Sequence, residues 1–111
     1  MERDPNTFLS QVIENCDRIV EFVDSIDFLH YKLDELVKSA VERRFINIGE
    51  SLNRLKQIDA EMFNSIPDAQ RVIGFRNILV HGYESVSDEL VWEIVSERIL
   101  PLRNTCEQLL K

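Results

Sequence analysis

Only three glycines and three prolines interrupt the 111 residues of this chain, and between them apolar side chains recur at steps of three and four. Glycine and proline are the residues that most readily end a helix. A chain so poor in both, with that period, is confined to a few long helices joined by short connections. The expected fold class is all-α, an antiparallel bundle of four to five helices. An apolar content of 44% is enough for one modest core and not for two, so residues 1–111 are expected to form a single domain. No apolar run approaches the roughly 18 residues of a membrane span. The charged opening Glu2, Arg3 and Asp4 is unlike a secretory signal, so a cytoplasmic location is expected. Cys16 and Cys106 stand far apart in no metal-ligand or redox spacing and read as buried hydrophobes of a reducing compartment.

Helix boundaries follow from capping chemistry. Asp4 as N-cap and Pro5 in the first turn start a helix that runs to about Asp24, with Phe8, Val12, Cys16, Ile19, Val20 and Val23 on one stripe. Residues 25–31 read as a connection or a short helical turn. Leu33, Leu36, Val37, Ala40, Val41, Ile48, Leu52 and Leu55 then mark a long second helix to about Gln57. Arg44 falls beside that apolar seam and needs a partner, a phosphate or a route to solvent along the seam's edge. Gly49, within the same helix, predicts a close helix contact rather than a break. After a short turn at 59–64, Ser65, Pro67 and Asp68 resemble the start of a third helix, which ends near Val80 at Gly82 in a left-handed cap. Ser87 starts the last helix, and Pro101 should kink or split it.

The stretch Arg76-Asn77-Ile78-Leu79-Val80-His81-Gly82-Tyr83 concentrates reactive groups in little more than two turns. Val72, Leu79 and Val80 form an apolar face, and Arg76 projects from it into a bundle or subunit interface. An arginine and a histidine suit phosphoryl chemistry on RNA, where the ribose 2′-OH is a built-in nucleophile. Histidine can take or give a proton near neutral pH, and the guanidinium fork binds phosphate oxygens as charge develops. No metal or cofactor is required, and the expected products are a 2′,3′-cyclic phosphate and a 5′-hydroxyl. On an ideal helix the two residues point about 140° apart, so they converge only if the helix unwinds near Gly82 or a second copy supplies the partner. The same spacing also fits a capping histidine and a structural ion pair. His30 lies in a connection with no ligand or triad pattern.

The order arginine, polar residue, three apolar residues, histidine, any residue, tyrosine resembles the HEPN superfamily and, within it, the HepT-like toxins. Similarity extends to Ala40-Val41-Glu42-Arg43-Arg44, to Ile48-Gly49-Glu50-Ser51, to Ile73-Gly74-Phe75, and to Val91-Trp92-Glu93-Ile94 before Leu100-Pro101-Leu102. The resemblance implies a dimer-forming bundle in which two copies of the Arg76/His81 segment share one RNA-cleaving cleft. It gives Arg76 and His81 catalytic roles and Asn77 a supporting one. It also implies a type VII toxin–antitoxin pair, in which an MNT-type nucleotidyltransferase transfers AMP onto Tyr83. A bulky anion two residues from His81 would block the phosphate site.

A net charge of −7 normally discourages nucleic-acid binding. The charge is uneven, however: residues 1–37 carry −6, residues 38–83 carry +2, and residues 84–111 carry −3. Arg43 and Arg44 in the basic middle are candidate phosphate ligands. The competing reading is a catalytically silent helical module that binds the nucleotidyltransferase in a regulatory complex. A helical metal carrier has no support, since no Glu-x-x-His pair faces a seam. Trp92 reads either as a dimer anchor or as core packing.

Overall fold

The computed structural model describes residues 4–110; the charged opening at Glu2 and Arg3 lies outside them. Seven helices follow in order: α1 (Pro5–Val23), α2 (Phe28–Leu33), α3 (Glu35–Ile58), α4 (Ala60–Asn64), α5 (Ala69–His81), α6 (Asp88–Glu97) and α7 (Ile99–Leu109). A single 3-10 turn, Tyr83–Ser85, joins α5 to α6. Among the described residues there is no strand, and the fold is the expected all-α bundle. No helix is long and apolar enough to cross a membrane.

Local chemistry sets most helix starts. Asp4 caps α1 by accepting from Asn6 N–H, with Pro5 next to it. Asp27, Asp34 and Asp59 do the same for α2, α3 and α4, and Ser87 accepts from Leu90 N–H at the start of α6. The last helical segment is split in two at Arg98, three residues before Pro101, whose ring cannot follow a continuous preceding turn.

Two termini differ from expectation. Ser65 closes α4, with its hydroxyl donating to Met62 O, and α5 begins only at Ala69. The preceding Asp68 adopts a left-handed backbone (φ 64°) and gives α5 no side-chain cap. Its carboxylate instead receives Arg98 Nη1 at 2.7 Å, and Arg71 Nη1 stands 3.7 Å away. At the other end Gly82 is not left-handed (φ −133°), because the chain passes directly into the 3-10 turn.

α3 is the central helix, with α1 against one side and α5 against the other, while α7 packs on α1. Both neighbours of α3 run antiparallel to it. Gln11 meets Ser51 and Asn15 meets Asn47 across the α1–α3 seam. On the other side Lys56 meets Gln70, and Glu42 meets Tyr83. Phe8, Leu9, Val12, Cys16 and Ile19 of α1 join Val41, Phe45, Ile48, Leu52 and Leu55 of α3 in the core. Phe45 and Phe75 stack edge to face with centroids 5.2 Å apart, a geometry worth about 0.5–1.5 kcal/mol beyond the area it buries. Both cysteines are free thiols in this core, and burial pushes Cys106 up to about 12 and Cys16 further.

Several expected core positions are surface positions. Leu33 and Leu36 flank the α2–α3 junction, and Leu36 is 85% exposed while Val37 of the same turn packs against the core. Val20 is also exposed, and Leu9, not expected on the stripe, is fully buried in the α1 core. Trp92 packs against Phe28 and Tyr31, with ring centroids 6.2 and 5.3 Å away. His30 sits at the start of α2, its Nδ1 2.7 Å from Asp27 Oδ1.

Candidate functional site

The close contact foreshadowed by Gly49 is with Arg76. A Cβ built on Gly49 would lie 2.3 Å from Arg76 Cβ and 2.6 Å from its Cγ. The missing side chain is therefore the slot that admits the arginine stem between α3 and α5. The buried face of α5 consists of Ala69, Val72, Ile73, Phe75 and Leu79, so Arg76 leaves the middle of that face. Val80, expected on it, is 43% exposed, although its neighbour Leu79 is buried.

From the slot the guanidinium reaches the floor of a cleft of about 540 Å³ between α3 and α5, which Asn53, Arg54 and Gln57 also line. Arg76 Nη1 donates to Asn77 Oδ1 at 3.0 Å, and Nη2 donates to Glu50 Oε1 at 3.2 Å. Its Nε is buried with no hydrogen-bond partner, so packing rather than full polar satisfaction fixes the fork. The Arg76 side chain is 26% exposed, and both its partners are accessible acceptors that a phosphate can replace.

His81 is the last residue of α5, exposed and without a partner among the described residues. The helix is intact to that point, since Gly82 N–H still bonds Ile78 O at 2.8 Å. Five residues of regular helix set His81 about 7.5 Å along the axis from Arg76 and about 140° around it. One chain therefore brings Arg76 together with Asn77 but not with His81.

Tyr83 stands on the 3-10 turn, 57% exposed, with its hydroxyl 3.5 Å from Glu42 Oε2. The Glu42 carboxylate holds the Tyr83 phenol above its ordinary value, while partial burial raises Glu42 itself. Beside them Lys38 pairs with Asp88 at 3.2 Å, fastening the start of α6 to α3.

Of the two candidate phosphate ligands, Arg44 is engaged. Its Nη1 donates to Asn15 Oδ1 at 3.2 Å, and its guanidinium lies 5.9 Å from the Phe22 ring. Arg43 is exposed and has no partner among the described residues. The sequence alone assigns no role to Glu50, Asn53, Arg54 and Gln57, although Gly49 and the polar spacing 50, 53, 54, 57 on one face of α3 mark the place. Among the described residues no group of three or more His, Cys, Asp or Glu side chains is arranged to hold a metal ion.

The sequence model of a family described as "Ribonuclease HepT-like" matches residues 12–109. A "putative RNase" of Methanocaldococcus jannaschii is 29% identical over 106 residues, which cover 96% of each chain. A second "putative RNase", from Caldanaerobacter subterraneus, is 25% identical and covers 96% of this chain and 95% of its own. A "Probable ribonuclease HepT" of Thermococcus cleftensis is 28% identical over the whole of both chains. No solved structure is significantly similar. With the family's pattern spanning nearly its whole length, this chain belongs to the HepT-like ribonuclease family.

Proposed function

We propose that the chain is a metal-independent endoribonuclease that works as a homodimer, and that it is the toxin of a type VII toxin–antitoxin pair. The observation that carries this reading is the seating of Arg76. Gly49 gives its stem a slot, and its fork rests on two displaceable acceptors in an open cleft, in a chain of the HepT-like ribonuclease family. His81 removes the 2′-OH proton, and Arg76 neutralises the charge that builds on the phosphate, with Asn77 orienting the fork. The 2′-oxygen bonds to phosphorus as the P–O5′ bond breaks, and the leaving 5′-oxygen takes up the proton that His81 removed, giving a 2′,3′-cyclic phosphate and a 5′-hydroxyl. Because one helix holds Arg76 and His81 apart, each site pairs Arg76 of one protomer with His81 of its partner.

The test is complementation in trans. Arg76→Ala and His81→Ala proteins should each be inactive on RNA while remaining folded. Mixed and re-equilibrated in equal amounts, they should regain about a quarter of the unsubstituted activity, because half the dimers are mixed and each holds one complete site. No recovery despite proven mixing refutes the shared site.

Regulation is assigned to Tyr83, which is exposed and two residues from His81. A nucleotidyltransferase antitoxin of the MNT type transfers AMP from ATP to its hydroxyl with release of pyrophosphate, and the added phosphate repels RNA. Intact mass after co-expression with that enzyme should rise by whole adenylyl groups mapping to Tyr83. A second reading, a silent module that only binds the nucleotidyltransferase, is favoured by the −7 charge. It requires complex formation without any RNA cleavage by the free protein.

A further inference from the structure

Across the α3 ridge from the Arg76 cleft lies a second hollow of about 240 Å³, lined by Gln11 and Asn15 of α1 and by Asn47, Glu50, Ser51 and Arg54 of α3. Glu50 and Arg54 line both cavities, so the two form one track that crosses α3. The steps 43, 47, 50 and 54 place Arg43, Asn47, Glu50 and Arg54 along one helical strip.

The chemistry of this track is specific. Arg18, Arg44, Arg71, Arg76, Arg98 and Arg103 each have an acidic or amide partner. Arg43 and Arg54, among the described residues, have none, and both lie on this strip. The amides of the second hollow are held in place by bonds that use only part of their capacity. Asn15 Nδ2 donates to Gln11 O at 2.8 Å, while Asn15 Oδ1 accepts from both Arg44 and Asn47. Ser51 Oγ donates to Gln11 Oε1 at 2.9 Å. Among the described residues, that leaves the Gln11 Nε2 donor and the Asn47 Oδ1 acceptor unpaired at the cavity. A fixed donor and acceptor beside an unpaired guanidinium match the polar edge of a nucleobase and its phosphate. No aromatic ring lines the hollow, so recognition there is by edges rather than by stacking. The space is below the roughly 300–1,000 Å³ of pockets for larger ligands, and it suits one base rather than folded RNA.

We propose that this track is a nucleotide subsite flanking the scissile bond: Arg54 binds the phosphate next to the one held by Arg76, and Gln11 with Asn47 receives the base. It rests on the ribonuclease reading above. Binding is measured on His81→Ala protein with a fluorescein-labelled single-stranded RNA across a salt series. Removing Arg54 (Arg54→Ala) should reduce the slope of log affinity against log salt by about 0.7. In protein that retains His81 it should raise KM roughly tenfold with kcat little changed. Arg71→Ala removes the same charge from the opposite side of α5 and should leave slope and KM as they were. Gln11→Glu keeps the acceptor used by Ser51 but replaces the free donor, and should change the ratio of cleavage among sites of different flanking base. A protein that cuts RNA with slope and KM unmoved by Arg54→Ala, or with site ratios unmoved by Gln11→Glu, overturns the subsite and leaves the ribonuclease reading intact. One that neither binds nor cuts RNA overturns both.

Discussion

Replacing Gly49 by alanine tests how the site is built. The added methyl would sit 2.3 Å from Arg76 Cβ, whereas unstrained carbon atoms approach to about 3.5–4.0 Å. α3 and α5 must therefore separate by about 1 Å at this level, because the Cβ of Arg76 is fixed to its backbone and cannot swing aside. Overpacking of this kind costs about 1–3 kcal/mol, toward the upper end for so rigid a contact. Helix propensity returns about 1 kcal/mol when glycine becomes alanine. The net loss is about 1–2 kcal/mol, or a fall in Tm of about 4–9 °C at this chain length. The effect on catalysis should be larger, since a displacement of about 1 Å at a reacting group costs about 100-fold. Thermal melts and initial rates on a fluorescence-quenched RNA read the two effects separately. Gly74→Ala is the control: a Cβ there meets nothing within 4 Å, so only the propensity gain operates and Tm should rise by a few degrees. A Gly49→Ala protein that melts higher and cuts RNA at the unsubstituted rate would refute the packing argument.

Tyr31 is fully buried, and its hydroxyl has no partner. Tyr31→Phe should therefore raise stability by about 1 kcal/mol in urea unfolding, and a loss would reveal a bond to that oxygen. The chain has two tyrosines, so in a Tyr31→Phe background Tyr83 alone titrates near 295 nm. Glu42→Gln should lower its midpoint, because the carboxylate raises it; an unchanged midpoint means that the 3.5 Å contact is not made in solution. Glu42 is itself raised by burial, so its penalty is absent below the ordinary carboxyl range and grows as pH rises through the raised value. The same substitution should thus stabilise the fold near neutral pH and have no effect near about pH 3. Cys16 and Cys106 are buried with their thiols pushed up, so labelling by a disulfide reagent should proceed only at the rate of global unfolding; faster reaction at either would show local opening.

Elements governed by near neighbours were legible in the sequence. Asp4 with Pro5, Ser87 with its acidic first turn, and Pro101 each act within one helical turn, and each marks an observed boundary. Ser65-Pro67-Asp68 misled because the Asp68 carboxylate that would cap α5 is taken by Arg98, thirty residues away. Gly82 misled because the following turn, tied to α3 through Tyr83 and Glu42, removes the need for a left-handed residue. The site was legible in part. Gly49 announced a close approach but not its partner, and Arg76 announced a guanidinium on a buried face but not the glycine beneath it. Arg54 belongs to no local motif. It becomes meaningful only once the antiparallel registers of α1 and α5 on α3 are known.

The strained turn at Asp68 links distant parts of the chain in time as well as in space. A left-handed backbone at a residue other than glycine costs about 1–2 kcal/mol, and here it is compensated by a guanidinium from the junction of α6 and α7. A polypeptide emerging from the ribosome carries Arg76 and His81 long before Arg98 arrives to secure the helix that bears them.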